Sequence, residues 1–178
     1  MLLLGNVDIL SILLSCPSIN VNQQDLSGQT ALLISSCQGH WQAVQALLAH
    51  PETNPNIADH RGVTPLLSAV LGGHSHVVSV LLAQEAIDIN FSDGERQNAL
   101  MLASSMGQAV VVAKLLEFSR LCLEEVSIHG KTAARLAREK GHQHIVDMLE
   151  KEILRRRLLM TTQADNVNLE QKLSEIQL

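Results

Sequence analysis

A chain of 178 residues with 46% hydrophobic side chains can bury the core of one domain or one short repeat array, which excludes a disordered tail. A net charge of −5 argues against a phosphate-binding surface and hence against a nucleic-acid partner. Three widely spaced cysteines without a C-x-x-C pair (Cys16, Cys37, Cys122) exclude a disulfide framework and a zinc finger, and point to a reducing, intracellular compartment.

At the start of the chain, "MLLLG" is too short, and lacks the basic flank, to be a signal peptide. No apolar run approaches the roughly 20 residues that span a bilayer. Residues 1–24 read as half of a helical unit. Its first helix is reduced to Met1–Leu4, and its second carries Ile9, Leu10 and Leu13. An apolar helix without cover on one side implies a piece of a longer protein or an end sealed by self-association.

Four full units follow, at 25–58, 59–92, 93–126 and 127–160. Gly5, Gly39, Gly73, Gly107 and Gly141 recur at a step of 34, as do Leu13-Leu14, Leu47-Leu48, Leu81-Leu82 and Leu115-Leu116, and Asn22, Asn56 and Asn90. In three of the four units a Thr (Thr30, Thr64, Thr132) stands where an N-cap is wanted, and Pro65 takes the first helical position of its unit. The spacing predicts a first helix of about eight residues ending at the recurrent Gly. A second helix follows, with apolar residues at helical spacing such as Val77, Val78, Leu81 and Leu82. Turn formers carry the chain to the next unit. Each helix pair is too small to bury its own apolar face, so stability comes from stacking.

Beyond the units, "KEILRRRLLM" extends the last helix, "TTQADNVN" reads as a linker, and "LEQKLSEIQL" as a short amphipathic helix. Leu169, Leu173 and Ile176 suit packing on the array or the opening of a coiled coil. Charge is uneven along the chain: residues 1–113 hold Arg61 and Arg96 against eight acids, whereas 131–157 hold eight basic residues against four acids.

Segments such as "DLSGQTALLISSCQGHWQAVQALL" and "DHRGVTPLLSAVLGGHSHVVSVLL" resemble the ankyrin repeat, D-x-x-G-x-T-P-L-H-x-A…G-H…V-V…L-L, over about residues 2–154. The resemblance implies an all-α solenoid of stacked helix-turn-helix units joined by β-hairpin-like turns. It also implies binding of a partner protein or peptide rather than catalysis, as a scaffolding or regulatory segment or as a free-standing adaptor or inhibitor. Three departures stand out. The pattern's His is replaced by Leu33, Leu67, Met101 and Arg135, so the bonds it supplies between units should be missing. Arg96 and Asn98 replace Gly and Thr, so the third turn should be strained or altered. Ala134 and a charged surface suit the fourth unit to capping.

Transferred by repeat position, the partner-binding residues are the tips Leu26, Ser27, Gln29, His60, Arg61, Val63, Glu95, Gln97, Ile128, His129 and Lys131. The first helices add Cys37, Leu71, Ser105 and Met106. Their mix of apolar and basic side chains suits a partner segment with apolar groups and some negative charge. The family's asparaginyl hydroxylation maps onto Asn22, Asn56 and Asn90, although turn Asn residues that bond backbone explain the same spacing.

Catalytic and metal chemistry find little footing. His40, His74 and His142 recur with the repeat. The pairs that His74 and His142 make with His76 and His144 lack the i, i+4 spacing of a zinc helix. No phosphate loop or nucleophile elbow occurs, and no cofactor is implied. Arg155-Arg156-Arg157 reads as a solvated helix end, or as a nuclear-localisation or acidic-partner site. Trp41 reads as half-buried filler, or as a binding anchor.

Overall fold

The side-chain oxygen of Thr30, Thr64, Asn98 or Thr132 accepts the amide three residues on, at 3.0–3.3 Å, and opens a seven-residue helix each time. These helices belong to a computed structural model that describes the backbone of residues 7–176 and the side chains of residues 7–161. The first helices are α2 (Ala31–Cys37), α4 (Pro65–Leu71), α6 (Ala99–Ser105) and α8 (Ala133–Glu139). The second helices are α1 (Val7–Leu14), α3 (Trp41–Leu48), α5 (Ser75–Leu82), α7 (Ala109–Leu116) and α9 (Gln143–Ile176). The residues Met1–Leu4 of the expected first half-helix lie outside the described part.

Each first helix packs on its own second helix and on the first helix of the next unit; the second helices form a parallel row. The core is continuous through both rows, with Val44, Val70, Val77, Val78 and Val112 fully buried. Leu33, Leu67 and Met101, at the positions where the ankyrin pattern has His, are each 1% exposed. Burying side chains of that size stabilises by roughly 1.5–3 kcal/mol apiece. Among the described residues no strand forms; the sole β-pairing is a bridge between Ser92 and Asn98.

The turns before the first helices are built by aspartate. The Oδ1 of Asp25, Asp59 and Asp93 accepts two backbone amides each, two and four residues on, at 2.8–2.9 Å. Neighbouring tips are laced together: the His60 amide donates to Ser27 O, Gly94 to Arg61 O and Ile128 to Glu95 O, at 3.1–3.2 Å. In the third turn Arg96 sits at φ 56°, beside 80° for Gly28 and Gly62 at the matching place. The turn keeps its geometry and the arginine carries the strain, because only Gly holds a left-handed φ without a Cβ clash.

Inter-unit hydrogen bonds survive the loss of the pattern's His. The side-chain amides of Asn22, Asn56 and Asn90 donate to Glu52 O, Ala86 O and Arg120 O at 2.7–2.8 Å. Their carbonyls accept from the amides of Asn54, Asp88 and Cys122 at 2.8–2.9 Å. Each asparagine therefore spans one full repeat and clips consecutive loops together.

Two expectations for the C-terminal region are corrected. Helix α9 runs unbroken through 161–168, where a linker was expected. That stretch has neither Gly nor Pro, and its Thr, Asp and Asn residues each oppose a helix by well under about 1 kcal/mol. The side chains of Leu169, Leu173 and Ile176 lie outside the described ones. Arg155, Arg156 and Arg157 consequently stand inside a helix rather than at its end. Arg156 donates to the carbonyls of Phe118, Ser119 and Leu121 at 2.7–3.1 Å and to Glu152. It anchors α9 to the loop that follows α7. Arg155 pairs with Glu152, and Arg157 with Glu124.

Candidate protein-interaction surface

Position within the turn decides which tip residues reach solvent: the leading ones are open and the last, next to the first helix, is covered. Leu26 is fully exposed, and Ser27, His60, Arg61, Glu95, Ile128 and His129 are exposed. Gln29 and Gln97 are half-buried. Val63 does not belong to the surface: it is 8% exposed and part of the core cluster. Its amide and carbonyl are both bonded to Asp59, which turns the side chain inward. Lys131 is half-buried and paired with Glu139, which also holds Arg135.

Asp59 is itself buried. Burial raises its pKa, but the amides of Val63 and Arg61 and the Arg61 guanidinium outweigh that, and the carboxyl sits below its ordinary range. The exposed Arg61 thus lends part of its charge to the frame. The basic end is muted in the same way: among the described residues, Arg138–Glu150 and the pairs of Lys131, Arg135, Arg155, Arg156 and Arg157 tie up most of its cations.

A second row is formed by the turns between first and second helices. His74 Nε2 donates to Cys37 O at 2.9 Å, Gln108 Nε2 to Val70 O at 2.7 Å, and His142 Nε2 to Ser105 O at 3.2 Å. A carbonyl only accepts, so the imidazole Nε2 atoms carry the protons. Gly39 makes room for this: a Cβ there would meet the His74 ring at 2.6 Å, and its φ of 77° is left-handed. The recurrent G-H pair is therefore one contact, the glycine of one unit against the histidine of the next. Among the described residues no three His, Cys, Asp or Glu side chains converge as metal ligands.

Along this row the exposed residues are Cys37, Trp41 (40%), Leu71 (44%), Met106 (46%) and Val110 (62%); Ser105 is half-buried. Trp41 is partly covered, as either reading of it allows, and borders a cleft of about 300 Å³ with Gly73, His74, Ser75, His76 and Val77. Val110 is an exposed apolar residue that repeat-position transfer did not name. The available signal was an apolar residue on the solvent side of a helix start, which periodicity alone assigns to the core.

The family profile described as ankyrin repeats (3 copies) matches residues 2–93, just over half of the chain. No curated protein matches it.

Proposed function

The chain belongs to the ankyrin-repeat family, and from that premise we propose that it binds a partner protein or peptide across its hairpin tips and first helices, in a scaffolding or regulatory assembly. Ankyrin repeats are generic protein-interaction modules, and the family is typically non-enzymatic. The observation that carries the proposal is the lacing of the tips. Ser27–His60, Arg61–Gly94 and Glu95–Ile128 backbone bonds fix four exposed tips into one row. A partner meeting a rigid row loses little further entropy in ordering it.

Leu26, Arg61 and Ile128 supply exposed apolar and guanidinium groups of the kind that anchor interfaces. No helix among the described residues is long and apolar enough to cross a membrane. Three exposed free thiols, Cys16, Cys37 and Cys122, support the reading of a reducing, intracellular compartment. Hydroxylation of Asn22, Asn56 or Asn90 remains part of this proposal. It requires a loop to open first, because both ends of each side chain are bonded to the next unit.

Affinity capture from cell extract, run in parallel with wild type and with a variant carrying Leu26→Ala, Arg61→Ala and Ile128→Ala, tests the reading. The account expects a saturable partner that the triple variant retains poorly. Equal capture by both proteins would remove the tips from the interface.

A further inference from the structure

The charged residues avoid most of the helical body. Residues 31–48, 64–82 and 98–113, which comprise α2 to α5, α6 and the first part of α7, contain not one Asp, Glu, Lys or Arg. Where these helix pairs meet solvent at their turns, Trp41, Leu71, Met106 and Val110 are exposed. The turns are held side by side by the His74–Cys37, Gln108–Val70 and His142–Ser105 bonds, so the four residues stand on three neighbouring turns. Charge depletion combined with exposed Trp and Met is the composition of an interface core, not of ordinary surface. The row changes character at its far end, where the fourth turn presents the exposed Lys140 and His144.

We infer that this row of helix–helix turns is a docking surface for a partner segment that is apolar along most of its length and acidic at one end. The inference rests on the reading that the chain binds protein, and moves the anchoring contacts from the hairpin tips to the opposite ends of the first helices. Trp41 and its cleft take an apolar side chain beside His74 and His76. Leu71, Met106 and Val110 continue the apolar track. Lys140 and His144 face the carboxylates. The segment's direction is thereby set: its acidic end lies toward the fourth unit.

The test uses the full chain and a short synthetic peptide of leucine and phenylalanine residues ending in a run of glutamates, with a lysine-ended peptide as control. Trp41 is the one tryptophan of the chain, so its emission reports on the row directly. The acidic peptide is expected to bind saturably and shift that emission to shorter wavelength. Leu71→Glu and Met106→Glu should each weaken binding by at least about tenfold with unchanged melting curves, since both side chains are exposed. Lys140→Glu should weaken the acidic peptide and not an uncharged analogue. Wild-type affinity in Leu71→Glu and Met106→Glu, equal binding of the lysine-ended peptide, or no saturable binding overturns the inference. Loss confined to Arg61→Ala would sink the turn row while leaving the protein-binding reading intact. A dimer whose Trp41 emission changes on dilution, without peptide, would assign the row to a second copy instead.

Discussion

Asn56 holds two loops with one side chain, donating to Ala86 O at 2.7 Å and accepting from the Asp88 amide at 2.8 Å. Asn56→Ala removes two hydrogen bonds at once and leaves the exposed Ala86 carbonyl and Asp88 amide to water, and is expected to lower stability by about 1–2 kcal/mol in urea unfolding. Hydrogen exchange should show the Asp88 amide losing protection while that of Cys122, clipped by Asn90, keeps it. Arg96 poses the opposite case. Its φ of 56° is strained for any side chain with a Cβ. Arg96→Gly should raise stability by about 0.5–1 kcal/mol, read as a higher thermal midpoint; a lower midpoint would mean that the arginine side chain outweighs the strain. The 34-residue spacing made both positions visible in the sequence. Their roles were less so: a regular Asn fits a local turn as well as an inter-unit clip, and only the stacking brings residue 56 against 86 and 88.

At the scale of the element, α9 shows where sequence reasoning is blind. Its start follows from the G-H recurrence, but neither its length nor the role of Arg156 does, since long-range bonds to 118–121 leave no periodic trace. The clamp predicts that Arg156→Ala takes the guanidinium from three carbonyls, of which Phe118 O keeps the Leu121 amide, costs about 2–3 kcal/mol, and raises exchange rates along α9 and the 118–121 loop. The carboxyl that steadies it adds a pH dependence. Hydrogen bonding from Arg155, and then Arg156, holds Glu152 at about 2 against an ordinary 4.5. Its contribution is therefore present in full above pH 4.5 and is lost as pH falls toward 2. In an acid titration Glu152→Gln should flatten that loss, and a titration identical to wild type would show that the carboxyl does not stabilise the fold. By contrast, the Thr caps and the paired helices were legible outright, because local rules and tertiary packing demand the same residues there.

For the whole molecule, two rows of helices share one core, and no unit buries its own apolar face. That dependence was readable from the repeat, as was the placement of the tips. Which exposed residues stand on neighbouring turns was not, because that arises from the spacing between units rather than from any one of them; Val63 went inward for a local reason, its two bonds to Asp59. Mutual dependence is the claim on which both the fold and the continuous binding surface stand. Leu67, 1% exposed in α4, lies in the middle of the first-helix row. Hydrogen exchange on Leu67→Asp, resolved by residue, tests the claim directly. Coupled stacking predicts that protection falls in α2 and α6 together with α4 and α5. Protection lost only within residues 59–92, with both neighbours unchanged, would contradict it.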